Sequence, residues 1–365
     1  MKYKLRSRRV PGAPLCREPI LAAAILAFVL LGGDLLGQQP KIAVEVKTVS
    51  VLATVRDQHG KIVPDLTKDD FVLDEDGRPQ IINYFAREKD VPLRLGLLVD
   101  TSLSQRRVLE QERSASYAFL DNLLRADKDV AAVANFDRDV TLLQDFTSSR
   151  PKLQAALQQL ETPRMDTQGA RGTQQRGGGG GSGGGGRRGG GTLLYDAVYL
   201  ASDELMSKQQ GRKALIILSD GVDHGSKETL AEAIETAQRA DTVVYSILFS
   251  DEEAYRHFAA HGMGPYGGHG GRYPAQERPD GKKILEQISK QTGGRLFEVS
   301  KKEPVEKIYA DIEEELRNQY SLGYTPEKDQ ASGYHKIHLS THNKDLKVQA
   351  RDGYYSGPQT SPSSD

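Results

Sequence analysis

The sequence predicts an α/β fold: a mostly parallel sheet with helices on both faces, inserted in or flanked by a small β-sandwich-like unit. Three observations predict it. Short aliphatic runs alternate with amphipathic stretches from residue 91 to residue 318. The segments before and after that region alternate apolar and polar residues with the period of two that marks a half-buried strand. One aliphatic run, "LGLLVDTSLS", ends on an aspartate followed by hydroxyl residues, as a functional strand end would in an open α/β sheet.

The first element is a β-rich segment, residues 40–90. "IAVEVKTVSVLATVRD" alternates, "QHG" turns, and "DDFVLDEDGRPQIINYFARE" reads as a hairpin around Asp76-Gly77. About 50 residues provide few strands for a sandwich, so this unit has to borrow strands from elsewhere.

Pro92 marks the change to α/β texture over residues 91–318. The strand candidates are "LRLGLLV" (93–99), "DVAAVANF" (129–136), "ALIILS" (214–219), "TVVYSILF" (242–249) and "GRLFEVS" (294–300). Their near-continuous hydrophobicity is that of strands covered on both faces. Helix candidates fall at 105–125, 150–160, 192–208, 227–240 and 281–292. A last helix begins after Pro304, with Val305, Ile308, Ile312, Leu316 and Tyr320 on one face. "DRDVTLLQDF" (137–146) follows the second strand at once and predicts an antiparallel edge hairpin.

The β texture returns over residues 319–356, with "QYSLGYTP", "GYHKIHLSTH" and "LKVQARDGYYS" read as three strands. They are the strands that residues 40–90 lack, so the two segments are expected to pack together. Residues 170–191 are glycine and arginine with little else, a composition that predicts a flexible insert. Residues 251–283 read as a long loop rich in Gly, Pro, His and Tyr, and 357–365 as a disordered tail.

Residues 1–39 stand outside the fold. A basic start with Lys2, Lys4, Arg6, Arg8 and Arg9 precedes the apolar run Ile20–Leu31. A membrane span needs about 20 residues; a basic region and a shorter apolar run are the pattern of an export signal, cleaved or retained as an anchor. The expected location is therefore the periplasm, the cell envelope or the outside of the cell. Removing 1–39 takes away six basic and two acidic residues and moves the net charge from −1 to −5. That balance gives no electrostatic reason to bind nucleic acid. Cys16, the only cysteine, lies in the same segment, so no disulfide is expected.

The candidate site gathers at strand ends. Asp100, Ser102 and Ser104 follow the first strand of the α/β region. Asp220 ends another in "ILSDGVD". Thr192 stands in "GGGTLLYDA" where the glycine insert meets a helix. All five offer oxygen, and none is His or Cys. Such a set suits Mg²⁺, or Mn²⁺ and Ca²⁺, rather than zinc or copper. Only two of the five carry charge, so a bound dication keeps its pull on an outside carboxylate. Helix capping alone needs one such residue, not five from three segments.

The D-x-S-x-S stretch at 100–104, the threonine before "LYDA" and the aspartate of "LSDG" resemble the metal-ion-dependent adhesion site (MIDAS) of von Willebrand factor type A (VWA) domains. The flanks "DLTKDDFVLDEDGRPQ" and "QYSLGYTP…GYHKIHLS…LKVQARDGYY" resemble those of exported VWA-related proteins common in acidobacteria. The resemblance implies a Rossmann-like domain with Ser102 and Ser104 as direct metal ligands. Thr192, Asp100 and Asp220 would ligate directly or through water, and a partner protein's acidic group would complete the shell. It implies an adhesion or binding module rather than an enzyme.

Other chemistries fit less well. An aspartyl-phosphate enzyme built on Asp100 wants an acid two residues on, where Ser102 stands. No G-x-S-x-G surrounds Ser102, and the glycine run lacks the G-K-[ST] ending of a phosphate loop. His257 and His261 are spaced i, i+4 but lie in glycine-rich sequence, and Asp223 reads as a turn residue. Arg187 and Arg188 read as solubilising linker residues. Two alternatives remain open: a metal-dependent hydrolase or phosphotransferase, and a metal that serves only as a structural staple. The sequence leaves open the partner, the physiological cation and the oligomeric state.

Overall fold

The computed structural model describes residues 48–87, 91–162, 191–249, 280–326 and 332–357. The N-terminal segment, most of the glycine insert, the histidines at 257 and 261, the arginines at 187 and 188 and the final eight residues lie outside them. No helix among the described residues is long and apolar enough to cross a membrane.

The central sheet has six strands in the order β10-β9-β8-β5-β6-β7. These are β5 (Leu93–Asp100), β6 (Val130–Phe136), β7 (Val140–Thr147), β8 (Arg212–Ser219), β9 (Thr242–Leu248) and β10 (Leu296–Glu298). Five run parallel, and β7 pairs antiparallel with β6 at the edge. The expected edge hairpin is therefore present.

Alternation along β5 sends side chains to two cores. Leu95, Leu97 and Val99 pack on one face with Phe119 and Leu120 of α1 (Leu109–Leu123), Leu153 of α2 (Arg150–Gln158) and Ile308 and Ile312 of α6 (Val305–Arg317). Leu98 joins the other face with Val198 of α3 (Leu194–Leu200), Ala237 of α4 (Leu230–Arg239) and Ile288 of α5 (Gly281–Thr292). Gly96 interrupts the aliphatic run because a Cβ there would lie 2.4 Å from Leu215 Cδ2 and 2.8 Å from Met206 Cε. Met206 closes a π-helical turn, Ala201–Met206, that continues α3. The single helix expected over 192–208 is thus an α-helix running into a wider turn, and Thr192 lies ahead of it.

Local sequence explains the helix ends. Thr229 and Glu232 form a reciprocal capping box at the start of α4. Asp280 caps α5, and Gly293 ends it at φ 93°, a left-handed conformation that favours glycine. Pro304 stands just before α6.

Two four-stranded sheets make up the second region. One runs β13-β1-β11-β4 and the other β14-β12-β2-β3. The N-terminal strands are β1 (Val49–Arg56), β2 (Phe71–Glu75), β3 (Arg78–Pro79) and β4 (Ile82–Arg87). The C-terminal ones are β11 (Tyr320–Tyr324), β12 (Gly333–Thr341), β13 (Lys347–Ala350) and β14 (Gly353–Ser356). Strand β11 lies between β1 and β4, and β12 pairs with β2. Val51, Val55, Leu73, Leu322 and Leu339 form their shared core. "LKVQARDGYYS" forms two strands rather than the single one expected. The chain turns at Arg351-Asp352, so that β13 joins β1 while β14 joins β12 in the other sheet.

The two regions meet at charged side chains. Glu315 of α6 is fully buried; its Oε1 lies 2.5 Å from Arg56 Nη2 and 2.7 Å from Arg295 Nε. Gln349 of β13 donates to its Oε2 at 3.3 Å. Arg351 reaches Asp241 Oδ1 at 2.9 Å and the Gln238 carbonyl at 3.2 Å.

Candidate metal centre

Parallel pairing places Val99 beside Leu218, so β5 and β8 end side by side. The next residues out are Asp100 and Ser219. Asp100 is fully buried. Its Oδ2 accepts the Ser219 hydroxyl at 2.7 Å, and its Oδ1 accepts the Ser102 backbone N–H at 2.9 Å. The second bond turns the chain sharply and brings Ser102 Oγ and Ser104 Oγ within 2.9 Å of each other. Ser102 opens a 3-10 turn, Leu103–Gln105, without giving it a side-chain cap. Capping therefore does not account for these hydroxyls.

Asp220 follows β8 and is buried too. Its Oδ1 accepts the Val222 N–H at 3.1 Å, and the Ser219 hydroxyl oxygen accepts the Gly221 N–H at 3.0 Å. The start of α5 presses on this loop: a Cβ on Gly281 would lie 2.1 Å from the Asp220 carbonyl oxygen. Only a glycine permits that approach.

Thr192 pairs with the same loop through its backbone. Its N–H donates to the His224 carbonyl at 3.1 Å, and the His224 N–H returns a bond of 2.8 Å. Asp223 accepts from the Tyr195 N–H at 3.2 Å and from the Ser226 hydroxyl at 2.5 Å, the work of a turn residue that anchors α3. Asp100, Ser102 and Ser104 are thus joined by hydrogen bonds, and Asp220 and Thr192 share the neighbouring loop.

Burial, reinforced by the negative charge of Asp220, raises the Asp100 carboxyl to about 7. A third buried acid is coupled to it electrostatically. Glu112 of α1 is fully buried, and neither of its carboxyl oxygens has a hydrogen-bond partner. Burial holds its carboxyl well above the usual range, and Asp100 and Asp220 push it further. The sequence reading passed over both Glu112 and Ser219. A signal for Glu112 exists, because it lies on the buried stripe of α1 with Leu109, Ser116 and Phe119 at helical spacing.

Among the described residues no group of three or more His, Cys, Asp or Glu side chains could hold a metal ion. An ion here would need the hydroxyls of Ser102, Ser104 and Thr192 beside Asp100 and Asp220. The residues fit a hard dication: the donors are oxygens, and no basic group is among the charges acting on the buried Asp100. Water cannot relieve these acids as it does at a surface, whereas a cation between them would.

The family model described as the von Willebrand factor type A domain matches residues 95–222. Comparison with the curated proteins gave no match. Among solved structures, an aerotolerance-related membrane protein from Bacteroides fragilis is 14% identical, with 61% of this chain and 98% of that one covered at a TM-score of 0.41. BatB from Bacteroides thetaiotaomicron is 17% identical, covering 61% and 97% at 0.40. Proximal thread matrix protein 1 from the mussel byssus, with a zinc-occupied MIDAS motif, is 15% identical, covering 67% and 50% at 0.43. At identities this low the likenesses say nothing of this chain's chemistry. All five candidate residues fall within the matched span, and residues 95–222 of this chain form a von Willebrand factor type A domain.

Proposed function

We propose that this chain is an exported, non-catalytic binding module whose VWA domain holds one divalent cation and uses it to recruit a carboxylate of a partner protein. Asp100, Ser102, Ser104, Thr192 and Asp220 would hold the ion, with Mg²⁺ the first candidate and Mn²⁺ or Ca²⁺ next. The β region would orient the domain or join it to a larger assembly.

The observation that carries this reading is the buried pair Asp100 and Asp220 beside a doubled serine hydroxyl, without a basic group among the forces acting on Asp100. When bound, the dication would supply positive charge and an outward coordination position. The chain's own part is to orient the oxygens. Ser219 and the Ser102 N–H fix both oxygens of Asp100, and the Gly221–Gly281 contact fixes the Asp220 loop.

Titration calorimetry with Mg²⁺, Mn²⁺ and Ca²⁺ tests the reading. One ion per chain is expected for the wild type and none for Asp100→Ala. Affinity capture from a cell-envelope extract should yield a partner with Mg²⁺ and lose it with EDTA. Metal-dependent turnover of phosphate or ester substrates would overturn the non-catalytic assignment.

A further inference from the structure

Glu112 is the residue that neither the strand-end motif nor the packing explains. It occupies a core position of α1, among Leu109, Ala115, Ser116 and Phe119. An apolar residue would fill that position at no electrostatic cost. Its helix neighbour Ser116 turns away to share a 2.8 Å hydrogen bond with Tyr309 of α6. The charged groups acting on Glu112 are Asp100 and Asp220, both acidic. A fully buried carboxyl with both oxygens unpartnered is among the costliest groups a core can hold. A position that keeps one has a use for it.

We propose that Glu112 is a positioning residue of the metal centre, its carboxylate receiving hydrogen bonds from water bound to the cation on the buried side. This inference rests on the metal-binding reading above. Glu112, Asp100 and Asp220 do not form a three-carboxylate metal cluster among the described residues, so the proposed link from Glu112 to the ion runs through water rather than by direct ligation. Outer groups of this kind fix the geometry of a metal's ligands and add to its retention. Glu112 acts from behind, so the outward positions stay open to a partner. The same carboxylate is unfavourable whenever the ion is gone.

Glu112→Gln in the full protein tests this, because it keeps the shape and removes the charge. Two readouts should move in opposite directions. Calorimetric Mg²⁺ affinity should fall by about 10- to 100-fold, while the melting temperature of EDTA-treated protein should rise above that of the wild type. A merely structural glutamate would leave ion affinity alone. Glu112→Leu, which fills the same core position with an apolar side chain, should repeat both changes and guards against a fault peculiar to glutamine. Wild type that binds Mg²⁺ with either variant matching it within twofold overturns the role of Glu112 and leaves the five-residue centre standing. Wild type that takes up no dication overturns both.

Discussion

Two fully buried glutamates divide this molecule. Glu315, at the joint between the VWA domain and the β region, meets two guanidinium groups and a glutamine amide. Glu112 feels the charge of two more acids, and neither of its carboxyl oxygens has a hydrogen-bond partner. The burial is the same and the compensation opposite. Where the chain needs a carboxylate for architecture, it brings the countercharge itself. At Glu112 and Asp100 no basic group acts, and under the proposed metal-binding reading a cation would bring that charge. That difference separates a structural buried acid from a functional one more sharply than burial alone.

The largest expected effect lies at the compensated glutamate. Glu315→Ala leaves Arg56 and Arg295 facing each other without their anion. Removing one partner of a buried pair costs about 3–5 kcal/mol. Arg295 keeps 38% of its side-chain exposure, which places the loss at the lower end. Urea unfolding measures it. A loss under about 1 kcal/mol, in the range of ordinary surface pairs, would erase the contrast between the two glutamates.

Next comes the response of metal-free protein to pH. The Asp100 carboxyl is raised to about 7 in the fold from an ordinary value of 3.8. Between those values the folded state binds more protons than the unfolded one, so stability falls as pH rises from about 4 to about 7. Three pH units set a ceiling of about 4 kcal/mol. Thermal melts in EDTA across that window should show the decline. Asp100→Asn, which cannot ionise, should flatten it. A melting temperature that climbs through the window in EDTA would mean the carboxyl is compensated after all.

Adding the ion should reverse the penalty. At a free concentration 100 times its dissociation constant, Mg²⁺ stabilises the fold by about 2.7 kcal/mol. The increment should vanish in Asp100→Ala and survive in Glu315→Gln, where the countercharge problem lies elsewhere. Equal Mg²⁺ stabilisation of wild type and Asp100→Ala would place the ion at some other site.

The two glutamates also show what sequence reveals. The sheet strands were legible because both faces are covered, so their aliphatic runs are nearly unbroken. Asp100 and Asp220 stood out as the first charges after such runs. The shortage of strands in residues 40–90 pointed to the C-terminal segment as their partner, but not to which strands pair: β1 with β11 and β2 with β12. Glu112 was hidden because a glutamate in "LEQERSAS" looks like any solvated helix residue. Only its phase relative to Leu109 and Phe119 gives it away. Glu315 was hidden for a related reason: it adjoins Leu316 on the apolar stripe of α6, and its partners Arg56 and Arg295 are distant in sequence. The turn at Arg351-Asp352 was missed because the alternation of "LKVQAR" runs right up to it and two strand-favouring tyrosines follow at once. Local pattern records which residues are buried in an element. It does not record which long-range charge comes to meet them.

The smallest effect concerns Thr192, which joins the site by its backbone. Its two bonds to His224 need no side chain. Thr192→Val keeps the shape and the backbone pairing and removes only the hydroxyl oxygen. Stability should change little, whereas Mg²⁺ affinity should drop about tenfold, or about 1.4 kcal/mol. Calorimetry beside a urea melt separates the two quantities. An unchanged affinity would confine the ion to the Asp100–Ser104 turn and Asp220. Thr192 would then belong with Glu315, as a residue placed for architecture.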